Sequence, residues 1–198
     1  MPGKGMLILI SGPSGSGKGT VCGELVKLNS NMKISVSATT RPPRPGETHG
    51  VDYYFMSRDE FERVAGEGGF LEWAHIYGNL YGTPVGPVKE ALCRGEDVIL
   101  EIDVQGGLQV KEKFPEAVLI FLLPPSRSIL EARLKGRGTD CREEIEKRMK
   151  WVDTELGYIT SYDYIIVNDG LSDTVAGVKC IIAAERCSTK RFVIPEGW

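Results

Sequence analysis

The sequence predicts an α/β fold built around a central, mostly parallel β-sheet. Continuous apolar runs of strand length alternate with segments of helical period, which is the pattern of repeated βαβ units. The runs are apolar at successive positions, as expected for strands whose two faces are both covered. The chain has 198 residues, 41% of them hydrophobic, which suffices for one compact unit with a substantial core.

Four strands are predicted for the central sheet. Each is a short apolar run that ends at glycine, proline or polar residues, and the first leads directly into a glycine-rich turn. The four runs are MLILI at 6–10, DVILEI at 97–102, AVLIFLL at 117–123 and YDYIIVN at 162–168.

Helices are predicted after three of these strands. One extends from about residue 17 to 28, and another follows a turn formed by VQGG at 104–107. The last helix is predicted from a single apolar stripe. The stripe consists of Leu171, Val175, Val178 and Ile182.

Two segments interrupt the alternation. Residues 36–86 are rich in turn formers and tyrosine and predict an insertion of small antiparallel strands, with one helix that begins at a capping box of Ser57 and Glu60. Residues 127–156 predict two charged helices around GRGTD, the second beginning near Asp140. The remaining ranges, 1–35, 87–126 and 157–198, form the core, the last with the C-terminal helix and a tail.

Composition excludes several function classes. The net charge of −3 and the pI near 5.6 argue against a general nucleic-acid-binding protein. Five widely spaced cysteines give no disulfide framework and indicate a reducing compartment. No apolar run is long enough for a secretory signal or a bilayer span. We therefore expect a cytoplasmic protein without a nucleic-acid or membrane partner, as a monomer or a weak homo-oligomer.

The segment ISGPSGSGKGT at 10–20 predicts a phosphate-binding loop. A buried strand, a glycine-rich turn, a lysine and a helix follow one another, so backbone N–H groups and the helix N-terminus can bind phosphate oxygens. Lys18 would reach the β- and γ-phosphates of ATP. The predicted ATP-binding residues of this loop are Gly12, Pro13, Ser14, Gly15, Ser16, Gly17, Lys18, Gly19 and Thr20.

Gly19 departs from the usual loop, in which a serine or threonine hydroxyl at this position touches Mg²⁺. We therefore expect Mg²⁺ to arrive with ATP and to be held chiefly by nucleotide phosphates and water, without a dedicated protein ligand. Thr20 can still donate to a phosphate. The motif GKGT at 17–20 resembles that of adenylate kinases, which are active enzymes, so the departure at Gly19 indicates a variant of the loop and not a loss of function.

A second phosphate site is predicted in SVSATTRPPRPGE at 35–47. Arg41 and Arg44 flank two prolines, which hold the chain extended and limit the entropy lost when both guanidinium groups meet one anion. The hydroxyl groups of Tyr53 and Tyr81 can reach the same phosphate.

Glu72 is the candidate for base recognition. It lies in FLEWA at 70–74, where strand alternation alone would turn it to solvent. A buried carboxylate, in contrast, accepts hydrogen bonds from the N1–H and 2-amino groups of guanine, and adenine offers neither donor. Ser37 and Thr83 are candidate partners for the rest of the base edge.

Nine motifs together resemble the guanylate kinase family over residues 6–186: GPSGSGKGT, SVSATTRPPRPGE, VDYYF, FLEWA, YGNLYGT, EIDVQG, LPPS, GRGTD and IVND. The resemblance implies a P-loop NTPase three-layer sandwich with a mixed-β GMP-binding insertion and a helical lid. It also implies ATP-dependent phosphorylation of GMP to GDP, with dGMP as an additional acceptor, in purine nucleotide metabolism and GMP recycling.

The resemblance assigns roles to individual positions. GMP-binding positions fall on Ser37, Arg41, Arg44, Glu47, Tyr53, Glu72, Tyr81 and Thr83. Lid arginines around the transferred phosphoryl group fall on Arg133, Arg137 and Arg148, and the segment near adenine contains Asn168 and Asp169. Glu101, a candidate substrate-binding residue, replaces a family aspartate with a side chain about 1.5 Å longer. The catalytic set is Lys18, Arg41, Arg44, Arg133, Arg137, Arg148 and Asp103.

Three alternatives remain open at this stage. A kinase for another monophosphate, such as AMP, is suggested by GKGT. A non-catalytic binding module of the guanylate-kinase-like kind would lack the phosphate loop, whereas this chain keeps Lys18 and its glycines. A simple NTPase would use water as the acceptor.

Overall fold

The chain forms a five-stranded parallel sheet and a separate four-stranded mixed sheet. The computed structural model describes residues 5–76, 78–136 and 142–191. In chain order, the strands are β1 (Leu7–Ser11), β2 (Met32–Ile34), β3 (Ala38–Thr39), β4 (Tyr54–Phe55), β5 (Phe70–Ile76), β6 (Asn79–Pro84), β7 (Asp97–Glu101), β8 (Val118–Leu123) and β9 (Tyr164–Val167).

Seven helices and one short 3₁₀ turn at Ile159–Ser161 occur in the described part of the chain. The helices are α1 (Lys18–Lys27), α2 (Arg58–Gly66), α3 (Val85–Cys93), α4 (Val104–Lys113), α5 (Arg127–Gly136), α6 (Arg142–Leu156) and α7 (Leu171–Arg186). None of the helices in the described ranges is long and apolar enough to cross a membrane.

The large sheet has the order β2-β7-β1-β8-β9. β7 pairs in parallel with β1 and with β2, and β9 pairs in parallel with β8. The predicted α/β fold class is therefore confirmed, and all four predicted strands are found with boundaries shifted by at most two residues. β2 was not predicted.

The small sheet has the order β4-β3-β6-β5. β6 pairs antiparallel with β3 and β5, whereas β3 and β4 are parallel, so the sheet is mixed and not wholly antiparallel. Its core contains Phe61 of α2 stacked on Phe70 of β5, with ring centroids 4.4 Å apart. Ser57 caps α2 as predicted, since its hydroxyl accepts a hydrogen bond from the Glu60 N–H.

Two local predictions for helices were wrong. The VQGG segment belongs to the first turn of α4, because the Asp103 carboxylate accepts from the Gly106 N–H and so begins the helix before it. The apolar stripe of α7 is shorter than predicted, since Val175, Val178 and Ile182 are buried but Leu171 is exposed. The predicted helix start near Asp140 lies outside the described residues.

The chain divides into two compact units. The first comprises Met1–Ser11 and Asn29–Leu119 and contains the small sheet. The second comprises Gly12–Leu28 and Ile120–Trp198 and contains the predicted phosphate loop with α5 and α6. Within the second unit, buried Leu130 and Leu134 of α5 pack with Ile145 and Val152 of α6.

Candidate active site

The predicted phosphate loop in the second unit has a backbone that glycine alone adopts easily. Gly12, Gly15 and Gly17 have φ values of 142°, 93° and 94°. A Cβ at Gly12 would also collide with the carbonyl oxygen of Leu122. The loop therefore requires glycine for its shape, and Gly17 leads directly into the N-terminus of α1.

Lys18 lies at the start of α1 and turns back over this loop. Its ammonium donates to the carbonyl oxygens of Gly12 at 2.6 Å and Pro13 at 3.2 Å. A cation is thus held against the loop backbone where the sequence predicts phosphate binding. Gly19 and Thr20 follow as exposed residues in the first turn of the helix.

Two of the predicted lid arginines contact the loop or its support. Arg148 of α6 donates through Nη1 to the Ser14 hydroxyl at 2.6 Å. Arg133 of α5 donates through Nη2 to the backbone carbonyl of Asn168 at 3.1 Å. The third, Arg137, lies outside the described residues.

Asn168 binds the loop through its side chain. The amide Nδ2 donates to the Ser16 carbonyl at 2.7 Å, and Oδ1 accepts from the Thr174 hydroxyl at 2.9 Å. The Asn168 backbone N–H donates to the carbonyl of Leu123, at the end of β8. A Cβ at Gly17 would overlap Nδ2 of this amide. Asn168 therefore supports the loop, and Thr174, which the sequence did not single out, orients it.

In the first unit, Arg41 and Glu47 form an ordered pair. Arg41 Nη2 donates to Glu47 Oε1 at 2.8 Å, and the Arg44 N–H donates to Glu47 Oε2 at 2.7 Å. The hydrogen bond from Arg41, with that from Arg44, lowers the pKa of Glu47. The same carboxylate, helped by Tyr81, raises the pKa of Arg41. The Arg44 side chain is exposed at this turn.

Two tyrosines lie beside this pair. The Arg41 guanidinium carbon is 5.4 Å from the ring centroid of Tyr53, a cation–π distance. The Tyr53 and Tyr81 rings meet edge to face with centroids 6.1 Å apart. Burial raises the pKa of Tyr53, so its hydroxyl remains a hydrogen-bond donor at neutral pH. The structure therefore brings together Arg41, Glu47, Tyr53 and Tyr81, whereas the predicted partner Arg44 has its side chain exposed.

Glu72 is buried, with 7% of its surface exposed, and does not face solvent. Its Oε1 accepts from the Thr83 hydroxyl at 2.6 Å. Burial raises the pKa of Glu72, and Asp103 raises it further, whereas Thr83 and Lys113 lower it. A carboxylate in this environment binds neutral donors such as amide and amino groups strongly.

Three other predicted residues occupy positions near these elements. Asp103 caps α4 through Oδ1 at 2.8 Å from the Gly106 N–H, and its carbonyl accepts from the Ser11 hydroxyl at 3.4 Å. Glu101 is exposed at the end of β7. Ser37 is half-buried just before β3, and its carbonyl accepts from the Tyr54 N–H.

The described side chains include no cluster of three or more His, Cys, Asp or Glu residues with the geometry to hold a metal ion. A hydroxyl is available beside the phosphate loop at exposed Thr20. A single hydroxyl group of this kind fits a Mg²⁺ ion that takes its remaining ligands from nucleotide phosphates and water.

The sequence and fold of this chain are similar to those of known guanylate kinases. A family model described as "Guanylate kinase" matches residues 4–185. A guanylate kinase of Carboxydothermus hydrogenoformans is 54% identical over 188 residues, covering 95% of this chain and 92% of that protein. A guanylate kinase of Caldanaerobacter subterraneus subsp. tengcongensis is 51% identical over 188 residues, covering 95% of this chain and 91% of that protein. The crystal structure of guanylate kinase from Anaplasma phagocytophilum superposes with a TM-score of 0.76 at 34% identity, covering 96% of this chain and 90% of that chain.

Proposed function

The chain belongs to the guanylate kinase family and phosphorylates GMP to GDP with ATP, and we propose that buried Glu72 selects the guanine base. Its carboxylate accepts from the N1–H and the 2-amino group of guanine. Hydrogen bonds to a charged group contribute on the order of 1.5–3 kcal/mol each. Adenine has no donor at these positions and would leave the buried carboxylate unpaired.

The acceptor phosphate binds at Arg41 and Arg44, with hydroxyl groups from Tyr53 and Tyr81. Glu47 supports this assignment, because it fixes the Arg41 guanidinium and the Arg44 backbone before substrate arrives. An arginine already held in one geometry loses little side-chain entropy on binding. Thr83 orients Glu72, and Ser37 and Glu101 are the other side chains that we assign to GMP.

ATP binds at the glycine-rich loop, with its phosphates on the backbone N–H groups of residues 12–20. Lys18 exchanges its carbonyl contacts for the β- and γ-phosphates, and Arg133, Arg137 and Arg148 neutralise charge on the phosphoryl group during transfer. Asp103, whose carboxylate begins α4, completes the proposed catalytic set. Asn168 supports the loop through its hydrogen bond to the Ser16 carbonyl.

The phosphoryl group passes in line to the GMP phosphate without a covalent enzyme intermediate. Catalysis then arises from alignment and from fixed cations around the developing charge. Mg²⁺ bound with ATP would shield the negative charge of the phosphates. Thr20, the residue after Gly19, carries the hydroxyl group closest in sequence to that position. We also propose dGMP as an acceptor, a role in GMP recycling, a cytoplasmic location, and a monomer or weak homo-oligomer.

An ADP-release assay with each monophosphate in turn tests this proposal. We expect release with GMP and dGMP, and activity with AMP lower by about 10⁴. Equal use of AMP and GMP would contradict guanine selection and favour a general monophosphate kinase. ADP release that ignores added GMP would instead indicate that water is the acceptor.

A further inference from the structure

Glu72 lies at an irregularity in β5. Phe70, Leu71 and Glu72 are buried in succession, whereas Trp73 is 45% exposed. The pairing of β5 with β6 shifts register between Phe70 and Trp73. A bulge of this kind adds one residue to a strand and re-aims the next side chain. The shift therefore changes the face of β5 on which Glu72 lies. In a regular strand Glu72 would share the face of Phe70, whereas here it bonds Thr83 of β6.

Lys113, in the last turn of α4, contacts the backbone at this bulge. Its ammonium donates to the Leu71 carbonyl at 2.8 Å and to the Phe70 carbonyl at 3.2 Å. In a regular strand, successive carbonyls point to opposite sides, so one ammonium group could not donate to two carbonyls in succession. β5 is also the edge strand of the small sheet, so the carbonyls on its outer side face no strand of that sheet. Lys113 thus supplies a donor that the sheet does not.

The helix that carries Lys113 packs directly against the Glu72 carboxylate. A Cβ at Gly106 of α4 would lie 3.0 Å from Glu72 Oε2. Two charged groups act on this carboxylate: Asp103 raises its pKa and Lys113 lowers it, beside the hydrogen bond from Thr83 of β6. Lys113 is therefore linked to Glu72 through both the backbone and the electrostatic field.

We infer that Lys113 is a positioning residue for guanine selection, which holds the β5 bulge so that the Glu72 carboxylate faces the base. The inference rests on the proposed function, because it needs Glu72 to bind guanine. Lys113 itself touches backbone carbonyls and is not assigned to substrate.

The test compares Lys113→Met with Lys111→Met. Lys111 is a matched control, since it lies two residues earlier in α4 and donates to the Ala117 carbonyl at 2.7 Å. We expect Lys113→Met to raise KM for GMP about three- to tenfold, the size of a typical net hydrogen-bond contribution, with KM for ATP unchanged. Lys111→Met should leave KM for GMP within about twofold of the unmodified enzyme. Equal effects of the two variants would overturn the inference.

The pH profile of KM for GMP distinguishes positioning from a general structural effect. Loss of the Lys113 charge should move the acidic limb of GMP binding to higher pH, because Glu72 then protonates more readily. Lys113→Arg should restore both KM and the profile. If Lys113→Met does not fold, Lys113→Gln, which keeps a donor without the charge, should still move the limb. If the acidic limb of the pH profile of KM for GMP does not move in the folded variant, the inference is overturned.

The same assay separates this inference from the proposed function. If Glu72→Gln weakens GMP use and Lys113→Met does not, only the role of Lys113 fails. If Glu72→Gln leaves GMP use unchanged, the assignment of Glu72 fails, and the role of Lys113 fails with it.

Discussion

At the scale of single residues, Glu72 combines a functional advantage with a cost in stability. A buried carboxylate loses hydration, and its hydrogen bonding with Thr83 does not fully replace it, because burial is the largest influence on its pKa. In the proposed complex, the two donors of guanine supply the hydrogen bonds that the free protein lacks. The burial of the Glu72 carboxylate would therefore favour guanine binding and selection while it destabilises the free protein. Such opposition between activity and stability is common at functional sites.

Glu72→Gln should make the free protein more stable at neutral pH. Because burial raises the pKa of Glu72 in the folded state, the carboxylate destabilises the fold increasingly as pH rises from its unfolded pKa through its folded one. Urea unfolding at acid and neutral pH would therefore show a gain for Glu72→Gln that shrinks as pH falls. Glu112→Gln, an exposed change on α4, is the control. A variant less stable than the unmodified protein at neutral pH would contradict this account of the site.

At the scale of elements, the phosphate loop owes its shape to its neighbours. β8 excludes any side chain at Gly12, and the Asn168 amide both binds Ser16 and excludes a side chain at Gly17. Thr174, in the first turns of α7, then fixes the orientation of that amide. The conformation of the six loop residues between β1 and α1 is therefore fixed by the end of β8, by Asn168 and by α7.

Thr174→Val should loosen this support without altering packing volume much. A buried hydrogen bond is lost and the Asn168 Oδ1 atom is left unsatisfied, so we expect a loss of about 1–3 kcal/mol in the free energy of unfolding. KM for ATP should rise while KM for GMP stays near its original value. Ser172→Ala, exposed on the same helix, provides the control. Unchanged ATP binding and stability in Thr174→Val would show that the loop does not depend on Thr174.

Element patterns explain which parts of the fold were predictable. Three of the four predicted strands of the large sheet, β1, β7 and β8, are continuous apolar runs buried on both faces, which makes them conspicuous in the sequence. The edge strand β9 is also an apolar run, but Ile165 and Val167 are exposed, so the expected burial on both faces was wrong for it. β2 escaped prediction because it has three residues with Lys33 at its centre. α3 escaped because Gly86 and Pro87 lower helix propensity in its first turn.

The site was predictable where motifs are local and unpredictable where partners are distant. Arg41 and Glu47 are six residues apart, and the prolines between them already indicated an ordered anion site. Lys113 is separated from Leu71 by 42 residues, and Asn168 from Ser16 by 152. A register shift between Phe70 and Trp73 determines which face of β5 carries Glu72, and the local sequence pattern does not indicate that shift.

At the scale of the whole molecule, net charge conceals the anion sites. The chain carries a formal charge of −3, yet the groups assigned to phosphate are cations. Lys18 and Arg148 lie at the loop of one unit, and Arg41 lies in the small-sheet unit. Local placement of charge, and not overall balance, therefore accounts for the binding of two polyanionic nucleotides.

The most direct test of guanine selection by Glu72 is the ratio of kcat/KM for GMP to that for AMP, measured in the unmodified enzyme and in Glu72→Gln. Loss of two hydrogen bonds to a buried charge predicts a fall of at least about 10²-fold in this ratio, caused by GMP alone. A ratio that stays constant, or a loss shared equally by both acceptors, would contradict the central role of Glu72.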